Sequence, residues 1–303
     1  MRNINTLFFL IFLWGCHHTQ KNETNTTISD TTKTVSLIQS PDKLSEYQLF
    51  VSKLDTSDVE TATIAAKEYV ELFQTQEVNI RDKAFLIFNT HYEKLAKNIN
   101  DLPLKDPLNF DADAAEKSLP ASNKQRNYKN TLRRNGFEII SAEGDSYIQQ
   151  DRKFITKQFY SYVSPTMKDY LERINQEMKE RFADDASLTI EAKQYVNRLI
   201  WWENFIQSSS DFILLDKAKE ERKYYLTFFI QGMDNTPVIS YETKTLEDYY
   251  MTAYTYLQNN FPNSETNKIV SPYFKALLQN DQRKATSIIN EYKKEGVILN
   301  FRQ

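Results

Sequence analysis

Residues 189–207 read TIEAKQYVNRLIWWENFIQ, and this stretch decides the fold. At 100° per residue, Ala192, Tyr195, Val196, Leu199, Trp202 and Ile206 fall on one arc. Trp201 and Phe205 fall on the opposite side, among Gln194, Asn197, Arg198 and Asn204. A helix that is apolar on two faces is contacted from both sides, so the spacing predicts a central helix in a mainly α fold. Glu203 lies within the apolar arc. A carboxylate there needs a partner or shifts its pKa upward. The same surface offers a candidate ligand-binding set of Trp201, Phe205, Asn197, Arg198 and Glu203. Flat rings beside amides and a guanidinium suit an organic ligand, including a sugar.

Outward from this helix the 3- and 4-residue spacing recurs. Ser40-Pro41 reads as an N-cap and first helical residue, followed by a stripe of Leu44, Tyr47, Val51 and Leu54. Ser57-Asp58-Val59-Glu60 reads as a capping box opening a helix with Val59, Ala62, Ala66, Tyr69, Val70 and Phe73 inward. A third helix, about 79–99, carries Ala84, Phe88, Leu95 and Ile99, with His91 on its flank. Further helices are expected at about 152–163, from Ser164-Pro165 through Phe182, at 211–231 ended by Gly232, and at 246–259. Ser271-Pro272 and Asp281 are expected to begin two short final helices, the last closed by Gly296. The expected architecture is a multi-helix bundle or irregular helical array.

Between these helices, residues 101–121 form an acidic loop broken by Pro103, Pro107 and Pro120. Its Asp111-x-Asp113 spacing resembles part of a calcium loop. Counted from Asn109, however, the required glycine and glutamate positions hold Ala114 and Pro120. The helix that follows, about 123–135, is stopped by Gly136 as a left-handed cap. It holds no acid, and Arg126, Lys129 and Arg133 share one arc as a basic patch suited to phosphate-bearing partners. Two β-prone runs within 137–149 flank Glu143-Gly144-Asp145 and predict a small β-hairpin, which must lie on the helices to be stable. Residues 236–243 and 297–301 are two further candidate strands.

Several chemistries lack material. The chain has five glycines and one cysteine among 303 residues, with no phosphate-cradling glycine loop, no Gly-x-Ser-x-Gly elbow and no His-Glu-x-x-His. His91 is the single histidine after residue 18, so no histidine-rich metal site, and no cofactor, is expected. Carboxylates are plentiful. Glu143 and Asp145 are the first suspects for a two-carboxylate hydrolase, whose defining feature is a separation in space. The formal net charge of −3 argues against a general nucleic-acid binder.

The N-terminus supplies an address. Arg2 precedes the apolar run Leu7 to Trp14, which is followed by Gly15-Cys16. The run is far below the roughly 20 residues of a spanning helix. Leu13-Trp14-Gly15-Cys16 resembles the lipobox of bacterial lipoproteins, with Trp14 where the family has a smaller residue. The resemblance implies that residues 1–15 are a signal peptide and that Cys16, the lone cysteine, becomes the acylated N-terminus. Residues 16–39, rich in Thr, Asn, Ser and Lys, read as a flexible tether reaching on the order of 25 Å. The helical part then divides into residues 40–100 and 122–303 around the acidic loop.

The reading is a non-enzymatic cell-envelope lipoprotein, anchored in a membrane outside the cytoplasm, whose helical domain binds a protein partner or an envelope component. A glycan- or solute-binding lipoprotein using the aromatic residues near Trp201 is the first alternative. An envelope-polymer hydrolase is the second.

Overall fold

The structure, a computed structural model, describes residues 42–101, 123–142 and 145–301, and among them eleven helices carry a mainly α fold. Cys16, the tether, the acidic loop beyond Asp101 and Glu143 lie outside the described residues, and of Asp145 only the backbone is described. Helix α1 (Lys43–Ser52) begins two residues later than expected, because the Asp42 carboxylate accepts the Leu44 and Ser45 N–H groups. Helix α2 (Glu60–Phe73) also departs from its expected cap. Ser57 turns back to Asp55, and Asp58 accepts the Glu60 N–H at 2.9 Å. The stripe itself holds: Ala62, Ala66, Tyr69 and Phe73 are fully buried.

These faces close on α3 (Val78–Asp101), whose Ala84, Phe88, Leu95 and Ile99 are buried as the spacing demands. His91 is not on a flank. It is buried, and its Nε2 meets the Thr61 hydroxyl at 3.0 Å, which ties α3 to the start of α2. Burial holds its pKa below the ordinary histidine value, with Lys94 adding to the effect. This is a satisfied core histidine.

Helix α4 (Asn123–Arg134) ends at Gly136, where φ is +86°. A side chain there would meet Phe154 and the Tyr92 hydroxyl at 2.6 Å, so both the dihedral and the space require glycine. Strands β1 (Phe137–Ala142) and β2 (Asp145–Gln150) pair antiparallel, with Ile139 opposite Ile148. The hairpin does lie on a helix: the Asn100 carboxamide of α3 binds both the N–H and the C=O of Ile148 at 2.8 Å. Helix α5 (Arg152–Phe159) follows, capped by Asp151, and ends four residues short of its expected limit. Its Phe159 sits 4.3 Å from the Phe88 ring and 4.9 Å from that of Tyr69, which completes one aromatic network.

The remainder builds a second network. Helix α6 (Pro165–Lys179) starts as expected, with the Ser164 hydroxyl accepting the Met167 N–H. The Ser164 N–H itself donates to the buried Asp82 of α3, joining the two parts of the fold. A tight hairpin of β3 (Ala183–Asp184) and β4 (Ser187–Leu188), which the periodicity does not signal, turns through Asp185 and Ala186 at positive φ. Helices α7 (Ala192–Ser208), α8 (Leu215–Gln231), α9 (Asp248–Asn260), α10 (Glu265–Leu278) and α11 (Gln282–Glu295) complete the array. The core is continuous across the described residues, which form one compact unit.

Three segments depart from the expected pattern. Helix α10 begins six residues before Ser271, with Ser264 as its cap, and Pro272 sits inside it. Residues 236–243 make only single bridge contacts, such as Ile239 to Leu246. The 297–301 segment forms no strand, because Leu299 donates its N–H to the Thr227 hydroxyl at 2.9 Å. No helix among the described residues is long and apolar enough to cross a membrane.

Candidate functional site

Helix α7 packs against α8, α9 and α10, and its buried residues lie on both faces. The five residues singled out from its sequence are placed on different sides of it. Trp201 is half-buried and stacks on Phe205 at 5.1 Å and 13°. The Arg173 guanidinium of α6 covers the Trp201 ring at 5.0 Å. Asn197 is exposed on another flank, where its carboxamide oxygen accepts the Tyr256 hydroxyl. Arg198 is 1% exposed and Glu203 is 5% exposed, on separate sets of partners.

Glu203 answers the question its position raises. Its two oxygens accept the N–H groups of Glu265 and Thr266, at 2.8 and 2.7 Å. These are the first two N–H groups of α10, which have no partner within their own helix. Arg222 of α8 adds a charge contact at 3.5 Å. The acid is buried because it caps a neighbouring helix from the side, with its charge toward the positive end of that helix dipole.

A second buried acid, Glu177 of α6, was not singled out from the sequence. It accepts the Trp202 indole N–H at 3.0 Å and the Tyr225 hydroxyl at 2.8 Å, and it bonds Arg173. Arg198 faces it at 3.6 Å and donates to the Glu180 carbonyl at 3.0 Å. Burial raises the Glu177 pKa even against the two arginines. On α8, half-buried Glu221 is pushed up to about 7 by burial, and the Glu177 carboxylate adds to the shift. No period marks Glu177 as special: it is one of four glutamates between residues 172 and 191. Only the approach of α7 and α8 gives it its partners.

The space beside Glu203 is a cleft of about 430 Å³. The C-terminal half of α7 forms one wall, through Ile200, Asn204 and Gln207. The turn between α9 and α10 forms the other, through Phe261 and Asn263. Trp201 and Phe205 do not line it. A second cleft, of about 460 Å³, lies between Asp82 and Lys83 of α3 and the serines that follow α7. The basic patch of Arg126, Lys129 and Arg133 is exposed on α4, with Leu132 buried beneath. Among the described residues, no group of three or more His, Cys, Asp or Glu is placed to hold a metal ion.

No protein-family model matches the chain, and no curated protein or solved structure matches it.

Proposed function

We propose that this chain is a cell-envelope lipoprotein, held to a membrane outside the cytoplasm by acyl chains on Cys16, whose helical body binds a protein partner or an envelope component without catalysing a reaction. The observation that carries this reading is the run Leu13-Trp14-Gly15-Cys16, the only cysteine of the chain, placed ahead of a polar tether and a helical body that starts at Asp42. Several chains on one residue give durable anchoring, where a single chain gives marginal, reversible binding.

The interior polar groups hold the helical body together. Glu203 holds the start of α10, Glu177 holds Trp202 and Tyr225, and His91 holds Thr61. Each acts as a structural tie between helices. Fractionation of cells expressing the Cys16→Ser variant tests the anchor. The variant is expected in the soluble fraction, and unchanged pelleting with membranes overturns the reading.

A further inference from the structure

The cleft beside Glu203 has the chemistry of a ligand site that the interior does not use. Its volume of about 430 Å³ lies within the roughly 300–1,000 Å³ typical of small-molecule sites. Several of its polar groups are already engaged. Asn260 donates to the Tyr256 carbonyl, and the Ser264 hydroxyl accepts the Asn267 N–H while donating to the Phe261 carbonyl. These bonds fix the turn between α9 and α10. Three carboxamides remain. The carboxamides of Asn204 and Gln207 on the α7 wall and of Asn263 on the turn are exposed and make no hydrogen bond with any described residue. Each offers donors and an acceptor side by side.

The charge in the cleft is balanced. The Glu203 carboxylate is held by two backbone N–H groups and by Arg222. At the rim, Lys268 pairs with Glu265 at 3.9 Å. A site with no uncompensated charge has no preference for an anion or a cation. Carboxamides on two walls match vicinal hydroxyl groups, which also present donor and acceptor together. Half-buried Phe261 adds apolar surface for the C–H face of a sugar ring.

We propose that this cleft binds a neutral oligosaccharide, with Asn204, Gln207 and Asn263 reading its hydroxyl groups. The proposal rests on the reading of the helical body as a binding domain and not on the acyl anchor. It also places the site on the flank of α7 next to Glu203, away from the Trp201 and Phe205 stack.

The test uses the full-length protein in detergent, as wild type and as Cys16→Ser. Immobilised maltotriose, cellotriose and chitotriose are the neutral probes, and oligogalacturonate is the anionic one, with titration calorimetry on whichever is retained. At least one neutral trisaccharide is expected to bind both forms. Asn204→Ala and Asn263→Ala should each weaken that binding about tenfold, the loss of one or two hydrogen bonds. Their melting temperatures should match wild type, since neither carboxamide has an internal partner. Gln282→Ala, exposed at the start of α11 and outside the cleft, should leave binding unchanged. The proposal fails if no neutral probe titrates up to roughly 10 mM, if only oligogalacturonate binds, or if the cleft variants bind like wild type. A Cys16→Ser protein released from membranes yet blind to all neutral probes removes the cleft assignment and leaves the anchor standing. One that stays with membranes yet binds sugar does the reverse.

Discussion

Glu203 is the place where a charged side chain on an apolar arc is given a structural reason, and its removal gives the sharpest test of the fold. In Glu203→Ala, the N–H groups of Glu265 and Thr266 lose their acceptors at 2.8 and 2.7 Å. Hydrogen bonds to a charged group contribute about 1.5–3 kcal/mol each. Thr266 is fully buried, so water does not replace the lost partner without opening the joint between α7 and α10. Arg222, with one guanidinium nitrogen 3.5 Å from the carboxylate, loses its counter-charge. Breaking a buried pair from one side costs about 3–5 kcal/mol, and we expect the alanine variant in that range. Glu203→Gln keeps the shape and one good acceptor but turns an NH₂ group toward a donor, so about half that loss is expected. For a body of this size 1 kcal/mol moves Tm by about 2–4 °C, so Glu203→Ala should melt roughly 10 °C lower. Urea denaturation of wild type, Glu203→Ala, Arg222→Met and the double variant supplies the free energies. The double variant should lose less than the sum of the single ones, because the two side chains share one interaction. A cost below about 1 kcal/mol for Glu203→Ala would refute the capping role.

Two other outcomes follow from the same interior. The Glu221 carboxyl is raised from 4.5 to about 7, so the folded state binds a proton that the unfolded state has released between those values. Stability therefore falls as pH rises through that window. Glu221→Gln, neutral throughout, should match wild type near pH 4.5 and be more stable at pH 8 by at most about 3 kcal/mol, at 1.36 kcal/mol per pKa unit. Equal stabilisation at both pH values in urea titrations would show that Glu221 is not the titrating group. Trp201→Ala removes a ring stacked on Phe205 and covered by Arg173. It should lower stability by about 2–3 kcal/mol, below the 3–5 of a fully buried tryptophan, because the ring is only half-buried. An unchanged melting temperature would instead mark Trp201 as a surface platform.

The helical architecture was legible because burial imposes a period. Ala62, Ala66, Tyr69 and Phe73 on α2, and Tyr195, Val196, Leu199 and Trp202 on α7, are interior in both the pattern and the structure. Gly136 and Gly296 were legible as caps for a local reason: each sits at positive φ after the last helical turn. What was not legible depends on neighbours far along the chain. Helix α10 starts at Glu265 behind its local cap, Ser264, and Glu203, 62 residues earlier, accepts its first N–H group, while Pro272, which by itself reads as a helix start, is tolerated within the finished helix. His91 became a core residue because Thr61, 30 residues away, meets its ring. The β3–β4 hairpin is two residues per strand, too short to show alternation. For the candidate site, the sequence pointed to α7 but not to the flank that carries the cleft. The second wall, Phe261 and Asn263, comes from a turn whose approach to α7 no local pattern encodes.

Acylation of Cys16 is read out by intact-mass and peptide mass spectrometry of the protein purified from native membranes. The expected N-terminus is Cys16, with a diacylglyceryl thioether on its sulfur and an amide-linked acyl group on its nitrogen. An N-terminal peptide that still begins at Met1, or one that contains Cys16 with a free thiol, would contradict it.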